Sequence, residues 1–127
     1  MPHEPTLTAL LHAGLLVSDL DTARAFYESV LGLVPLADRP TLPYPGLWYG
    51  LNDQQQLHLM QLPNPDAASV RPQHGGRDRH IALGIAQLDL LKARLEQAGV
   101  IYTLSKSGRA ALFCRDPDGN TLELVQL

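Results

Sequence analysis

The 127-residue chain has a single cysteine, Cys114, and this scarcity limits the chemistry available to it. One thiol cannot form a disulfide within the chain, nor can it build a thiolate cage around a metal ion. Any metal site must therefore use His, Asp and Glu side chains. Since the chain has no disulfide framework, we expect a cytoplasmic protein.

Long apolar runs and a strong net charge are also missing. The apolar runs are shorter than the ~20 residues that a membrane helix needs, and the opening residues MPHEPTLT lack the features of a secretory signal. A formal net charge of −3 gives no reason to expect a nucleic-acid partner. A composition of 45% hydrophobic and 18% charged residues is that of a soluble globular protein, and the length fits one domain over residues 1–127.

The apolar pattern predicts the same order of elements twice. The first half has a strand at 9–17, a helix at 19–32, a proline-containing edge strand at 33–40, and strands at 47–51 and 54–62. The second half has a strand at 80–85, a helix at 88–99, and strands at 100–105, 109–115 and 120–127. A polar linker rich in Pro and Gly, about residues 63–78, joins the halves.

These halves align as an internal repeat. HAGLLVSDLDTARAFY overlies HIALGIAQLDLLKARL, and LHLMQL overlies LELVQL, which pairs His12 with His80 and His58 with Glu123. We therefore predict an α+β fold of two tandem βαβββ modules, at about residues 9–62 and 79–127. Together their strands would form a curved mixed-sheet cup.

The repeat brings four potential metal ligands into one pattern: His12, His58, His80 and Glu123. Because side chains alternate along a strand, each of them lies on the face opposite the most apolar one. The helices would cover the apolar faces, which leaves the four polar residues lining the cup. Imidazole and carboxylate groups suit divalent metals. Any one of these residues alone is more often structural, but four at equivalent positions predict a metal site.

Several stretches resemble the vicinal oxygen chelate superfamily: HAGLLVSDLDTARAFYESVLGL, RHIALGI and the closing DPDGNTLELVQ. That superfamily includes glyoxalase I, extradiol dioxygenases, methylmalonyl-CoA epimerase, fosfomycin-modifying transferases and bleomycin-binding proteins. The resemblance covers nearly the whole chain and implies a glyoxalase/dioxygenase-like fold. It also implies a small-molecule substrate and a homodimer, often with each metal site assembled from two chains.

By position, the resemblance places the family's metal ligands on His12, His80 and Glu123, and a further ligand or catalytic base on His58. It implies one divalent ion per site, which would be Zn, Ni, Mn or Fe(II). Glyoxalase I has Glu, and the epimerase Gln or Glu, where this chain has His58. A metal-bound imidazole has no free lone pair, so Glu123 must act as the base if His58 binds the ion. Both are therefore candidate catalytic residues.

Three functions remain open. We favour a glyoxalase I-like lyase or isomerase that chelates vicinal oxygens of a small substrate. An Fe(II) extradiol-type dioxygenase would use a facial triad of two His and one carboxylate, with His58 as an acid or base. A non-catalytic binding or resistance protein is the third, although the intact ligand set argues against a bleomycin-binding protein. Candidate substrate contacts, for which core packing or a solvated turn is an equally simple explanation, are Trp48, Tyr49, Lys106 and Arg109.

Overall fold

The computed structural model describes residues 4–127, whose strands are divided between two sheets. The strands are β1 His12–Val17, β2 Gly46–Gly50, β3 Gln56–Gln61, β4 Ile81–Ile85, β5 Tyr102–Leu104, β6 Ala111–Arg115 and β7 Thr121–Gln126. The helices are α1 Leu20–Arg24, which continues as a π-helix over Ala25–Val30, and α2 Leu88–Gln97. A 3₁₀ turn spans Gly75–Arg77. The α+β architecture expected from the sequence is confirmed.

The first strand of each half lies parallel beside the last strand of that half. The strand orders are β1-β3-β2 and β4-β7-β6-β5, with β1–β3 and β4–β7 parallel and the other pairs antiparallel. This register sets Gly14 beside His58 and Ala82 beside Glu123. Residues far apart in the sequence therefore become neighbours on one face of a sheet.

The edge strand predicted at 33–40 does not form, so the prediction of four strands in the first half is wrong. In this stretch Pro35 makes an isolated bridge to Tyr49, and the N–H of Leu36 donates to the carbonyl of Trp48 at 2.7 Å. Proline has no backbone N–H to donate to a neighbouring strand. Pro40, at the end of the segment, lacks this donor as well. One edge of the first sheet is consequently short.

The first helix begins and ends where the sequence indicated. The side chain of Asp19 caps it by accepting a hydrogen bond from the N–H of Thr22 at 2.9 Å. At the other end Gly32 has a φ of +80°, a conformation that favours glycine. The helix widens after Arg24, and the N–H of Leu31 donates to the carbonyl of Phe26 five residues back at 3.0 Å.

One apolar core lies between the helices and the sheets. The core-facing side chains of the central strands are fully buried, as the alternation along β3 and β7 predicts. They are joined by residues of both helices; the fully buried members include Tyr27, Leu57, Leu59, Leu91, Leu95 and Leu122. Cys114 belongs to this core, and burial raises the pKa of its thiol to about 12. In residues 4–127 there is no helix with the length and hydrophobicity to cross a membrane.

A buried hydrogen bond ties the first helix to the turn between β6 and β7. The Tyr27 hydroxyl donates to Asp116 Oδ2 at 2.7 Å. The other oxygen of Asp116 accepts from the N–H groups of Asp118 and Asn120, both at 2.9 Å. Gly119, with a φ of +83°, completes the turn formed by the sequence DPDG. One carboxylate thus organises the turn and links it to the other half of the chain.

We predict that Tyr27→Phe lowers the free energy of unfolding by about 2 kcal/mol, because it removes a buried hydrogen bond to an acidic group. Urea unfolding measures this change. Tyr102→Phe is the matched control, since the Tyr102 hydroxyl bonds Glu96 at an exposed position, and we expect it to cost less than about 0.5 kcal/mol. Equal losses in the two variants would show that the bond to Asp116 does not stabilise the fold.

Candidate metal site

His80 and Glu123 meet on the open face of the second sheet. His80 Nε2 lies 3.3 Å from Glu123 Oε1, and the carboxylate side chain is only 5% exposed. Two ligands that each lie ~2.1 Å from one ion, at right angles, would be ~3.0 Å apart. The spacing of this pair therefore fits two ligands of a single metal ion.

The backbone fixes the orientation of the His80 ring. Its Nδ1 donates to the carbonyl of Asp78 at 2.8 Å, which leaves Nε2 as the nitrogen that faces Glu123. The edge of the ring packs at right angles to Phe113, with the ring centroids 5.2 Å apart. Metal-binding histidines usually have their second nitrogen held in this way.

A charged network holds the residue that orients His80. Asp78 Oδ2 accepts from Arg115 Nη1 at 2.7 Å and from Arg71 Nε at 2.8 Å, and the Asp78 side chain is 8% exposed. Burial raises the pKa of Asp78, but the bonds from Arg115 and Arg71 outweigh burial and hold this pKa well below its usual value. The end of the predicted linker is thus anchored on β6 and β7.

Asp78 is not among the residues that the sequence pattern predicted. The available signal was its position two residues before His80. Its two arginine partners come from different segments of the chain, and no local pattern connects them.

Arg109 binds the other oxygen of the Glu123 carboxylate. Arg109 Nη2 lies 2.7 Å from Glu123 Oε2, although the arginine side chain is 58% exposed. Lys106 is exposed on the same turn between β5 and β6. Of the two basic residues predicted to contact substrate, Arg109 therefore reaches Glu123, whereas Lys106 is exposed on the same turn.

The open face of the first sheet carries a stack of three rings. The His58 ring lies between those of His12 and Trp48, with centroid separations of 4.1 Å on both sides. His58 Nε2 donates to Gln56 Oε1 at 2.8 Å. Burial, together with the positive charge of nearby His12 and Arg39, lowers the pKa of His58 and favours its neutral form.

Tyr49 does not face this stack. It alternates with Trp48 along β2, is fully buried, and donates through its hydroxyl to Glu28 Oε2 at 2.9 Å. The expectation that it lines a substrate pocket is therefore not met. A cavity of about 460 Å³ does adjoin the rings of His12, Trp48 and His58.

The four predicted ligands fall into two pairs on separate sheets. His12 and His58 stack on the first, and His80 and Glu123 meet on the second. Between residues 4 and 127, no three His, Cys, Asp or Glu side chains are grouped closely enough to hold one ion. A single chain in this conformation does not bring the predicted ligand set together.

Comparisons with known proteins agree with the fold. The profile of the Glyoxalase/Bleomycin resistance protein/Dioxygenase superfamily matches residues 9–124. Glyoxylase I 4 of Arabidopsis thaliana is 29% identical over 126 residues, which cover 93% of this chain and 70% of that protein. Glutathione transferase FosA of Serratia marcescens is 36% identical over 124 residues, covering 93% and 80%. TnmS3, an antibiotic binding protein from Streptomyces sp. CB03234, has a similar structure, with a TM-score of 0.70, 25% identity and coverage of 97% and 98%.

We predict that Asp78→Asn lowers the free energy of unfolding by about 2–4 kcal/mol, because two arginines lose their charged acceptor. Chemical denaturation at pH 7 measures the loss. Asp66→Asn is the matched control, since Asp66 bonds Arg79 in an exposed pair, and it should cost at most about 1 kcal/mol.

The effect of Asp78 should also depend on pH in a defined direction. Its pKa in the folded protein is held below the usual 3.8, so the stabilisation is complete above that value and declines as the pH falls below it. A wild-type advantage over Asp78→Asn that grows on acidification would contradict this account.

Proposed function

Because the chain belongs to the glyoxalase/bleomycin resistance protein/dioxygenase superfamily, we propose that it is a divalent-metal-dependent enzyme whose substrate carries two neighbouring oxygen atoms. The His80–Glu123 pair carries this proposal. The proton of a neutral His80 ring lies on Nδ1, so its Nε2 lone pair would face a carboxylate oxygen at 3.3 Å. A cation between the two atoms, either a proton or a metal ion, removes that repulsion.

The first sheet of a second copy would complete the site. We propose that His12 of the partner subunit joins His80 and Glu123, with His58 of the partner subunit beside it. Both β1 and β4 are edge strands, and edge strands are usually covered. A groove of about 540 Å³ is lined by residues of both strands and by exposed leucines such as Leu10, Leu11 and Leu127. A twofold contact between copies would bury this apolar surface.

When bound, the divalent ion would supply a Lewis acid that stabilises negative charge on the substrate oxygens. Residues of the chain itself would bind the ion, accept the proton and contact the substrate. Each oxygen of Glu123 already has a partner, so Glu123 is better suited to act as a metal ligand than as a base. His58 is held neutral by its surroundings and can accept a proton. Trp48 forms an aromatic wall against which an apolar part of the substrate can pack.

The reaction that fits these parts best is a glyoxalase I-like isomerisation, in which a base moves a proton on the carbon of a hemithioacetal. Transfer of glutathione to a small electrophile is a second candidate, since the Serratia marcescens transferase is 36% identical. Both reactions would use a thiol-containing substrate. A ring-cleaving dioxygenase would contain iron, and a metal-free protein would be a binding protein. The metal content therefore distinguishes these classes.

We predict that protein purified anaerobically, without chelators or nickel resin, contains nearly one divalent ion per chain. His80→Ala should lose the metal because it removes a ligand, as measured by elemental analysis. His74→Ala is the control, because His74 lies just before His80, at the end of the linker, and caps the 3₁₀ turn through Nδ1. Zinc, nickel or manganese would support the isomerase, and iron would redirect the proposal to the dioxygenase. Absence of metal even after divalent ions are added back would leave a metal-free binding protein.

The His58→Ala variant, purified in the same way, separates the two roles of His58. If His58 is a base, the variant keeps its metal but turns over the methylglyoxal–glutathione hemithioacetal more slowly. If His58 is a ligand, the metal content falls as well. A variant with full metal content and full turnover would remove His58 from the site.

Mixing variants tests whether two chains share each site. His12→Ala and His80→Ala should each bind metal poorly, but refolding them together should restore about a quarter of the wild-type sites. Half of the randomly formed dimers would be mixed, and each mixed dimer would have one intact site of two. No recovery on mixing, with dimers present by light scattering, would show that the ligands come from a single chain.

A further inference from the structure

We propose that Arg109 is a positioning residue that restricts Glu123 to binding the metal through one oxygen. The proposal rests on the metal site inferred above and adds a role for the exposed arginine. All three residues concerned lie in the second half of the chain. It therefore holds whichever chain contributes His12.

The Glu123 carboxylate is shared between two different groups. Oε1 faces His80 Nε2 at 3.3 Å, while Oε2 accepts from Arg109 Nη2 at 2.7 Å. A short hydrogen bond between a guanidinium and a carboxylate is among the strong ones. An ion between His80 and Oε1 would leave the bond to Oε2 in place.

The turn before β6 directs Arg109 back toward the sheet. Gly108, with a φ of +85°, reverses the chain immediately before Arg109. The base of the turn is closed by the N–H of Ser105, which donates to the carbonyl of Ala111 at 2.9 Å. A solvated surface arginine needs no such arrangement. Here the exposed side chain reaches a carboxylate that is almost completely buried.

The restriction matters because a carboxylate can bind a metal through one or both oxygens. Binding through both would occupy a coordination position that a substrate with two neighbouring oxygens needs. By holding Oε2, Arg109 keeps that position open. It also places a positive charge near the ion, so metal binding is weaker than the ligands alone would allow.

Cobalt(II) titration tests this role without an activity assay, because visible absorption weakens as the coordination number of cobalt rises. Arg109→Ala should bind cobalt about tenfold more tightly than the wild type, because it removes a positive charge near the ion, and it should absorb less strongly. Lys106→Ala removes the same charge from the same turn. Among residues 4–127, however, the basic side chains within 4 Å of the Glu123 carboxylate are those of His80 and Arg109. We expect Lys106→Ala to match the wild type in both measurements.

Arg109→Gln separates the hydrogen bond from the charge. Its amide can donate to Oε2, so the absorption should return to the wild-type level while the tighter affinity remains. Thermal unfolding of the metal-free variants checks that the fold is intact.

An Arg109→Ala spectrum identical to that of the wild type would overturn the proposal, whatever the affinity. A wild-type protein that binds no cobalt would instead remove the metal site and this role together. The two failures are thus distinguishable.

Discussion

The parallel pairing of the first and last strands in each half determines where every candidate ligand lies. Only this pairing places β1 beside β3 and β4 beside β7, and so brings His12 to His58 and His80 to Glu123. In the register, Gly14 lies beside His58 and Ala82 lies beside Glu123. The core-facing leucines on the opposite faces fix the register, because a slip of one residue would turn the ligands into the core.

The two halves keep the same register but present different chemistry. On the first sheet three rings stack, and their surroundings favour a neutral His58. The equivalent position on the second sheet is a carboxylate, 4% exposed, whose two oxygens meet His80 and Arg109. Burying a carboxylate is costly unless cations accompany it, which explains why the basic residues gather on this sheet. The repeat has therefore produced one aromatic half and one ionic half.

Alternation and repetition in the sequence predicted the faces of the strands and the four candidate ligands. The same alternation should have excluded Tyr49, because neighbours in a strand cannot both face a pocket. The missing strand at 33–40 follows from local chemistry, since its prolines supply no ladder donor. The roles of Asp78 and Arg109 depend on partners distant in sequence, and only the folded chain reveals them. The separation of the ligands into two pairs is likewise a tertiary property.

The two halves would take different roles in the proposed reaction: the second sheet would bind the metal ion, and the first would supply the base. The Glu123 carboxylate accepts from Arg109 through one oxygen and faces His80 with the other. This arrangement suits it to holding a metal ion. Burial, followed by the nearby basic side chains, lowers the pKa of His58, so its neutral imidazole remains available to accept a proton. In a twofold dimer each site would receive one half of each kind. The base and two of the metal ligands would then lie on different sheets, so a substitution at the base could leave those ligands in place.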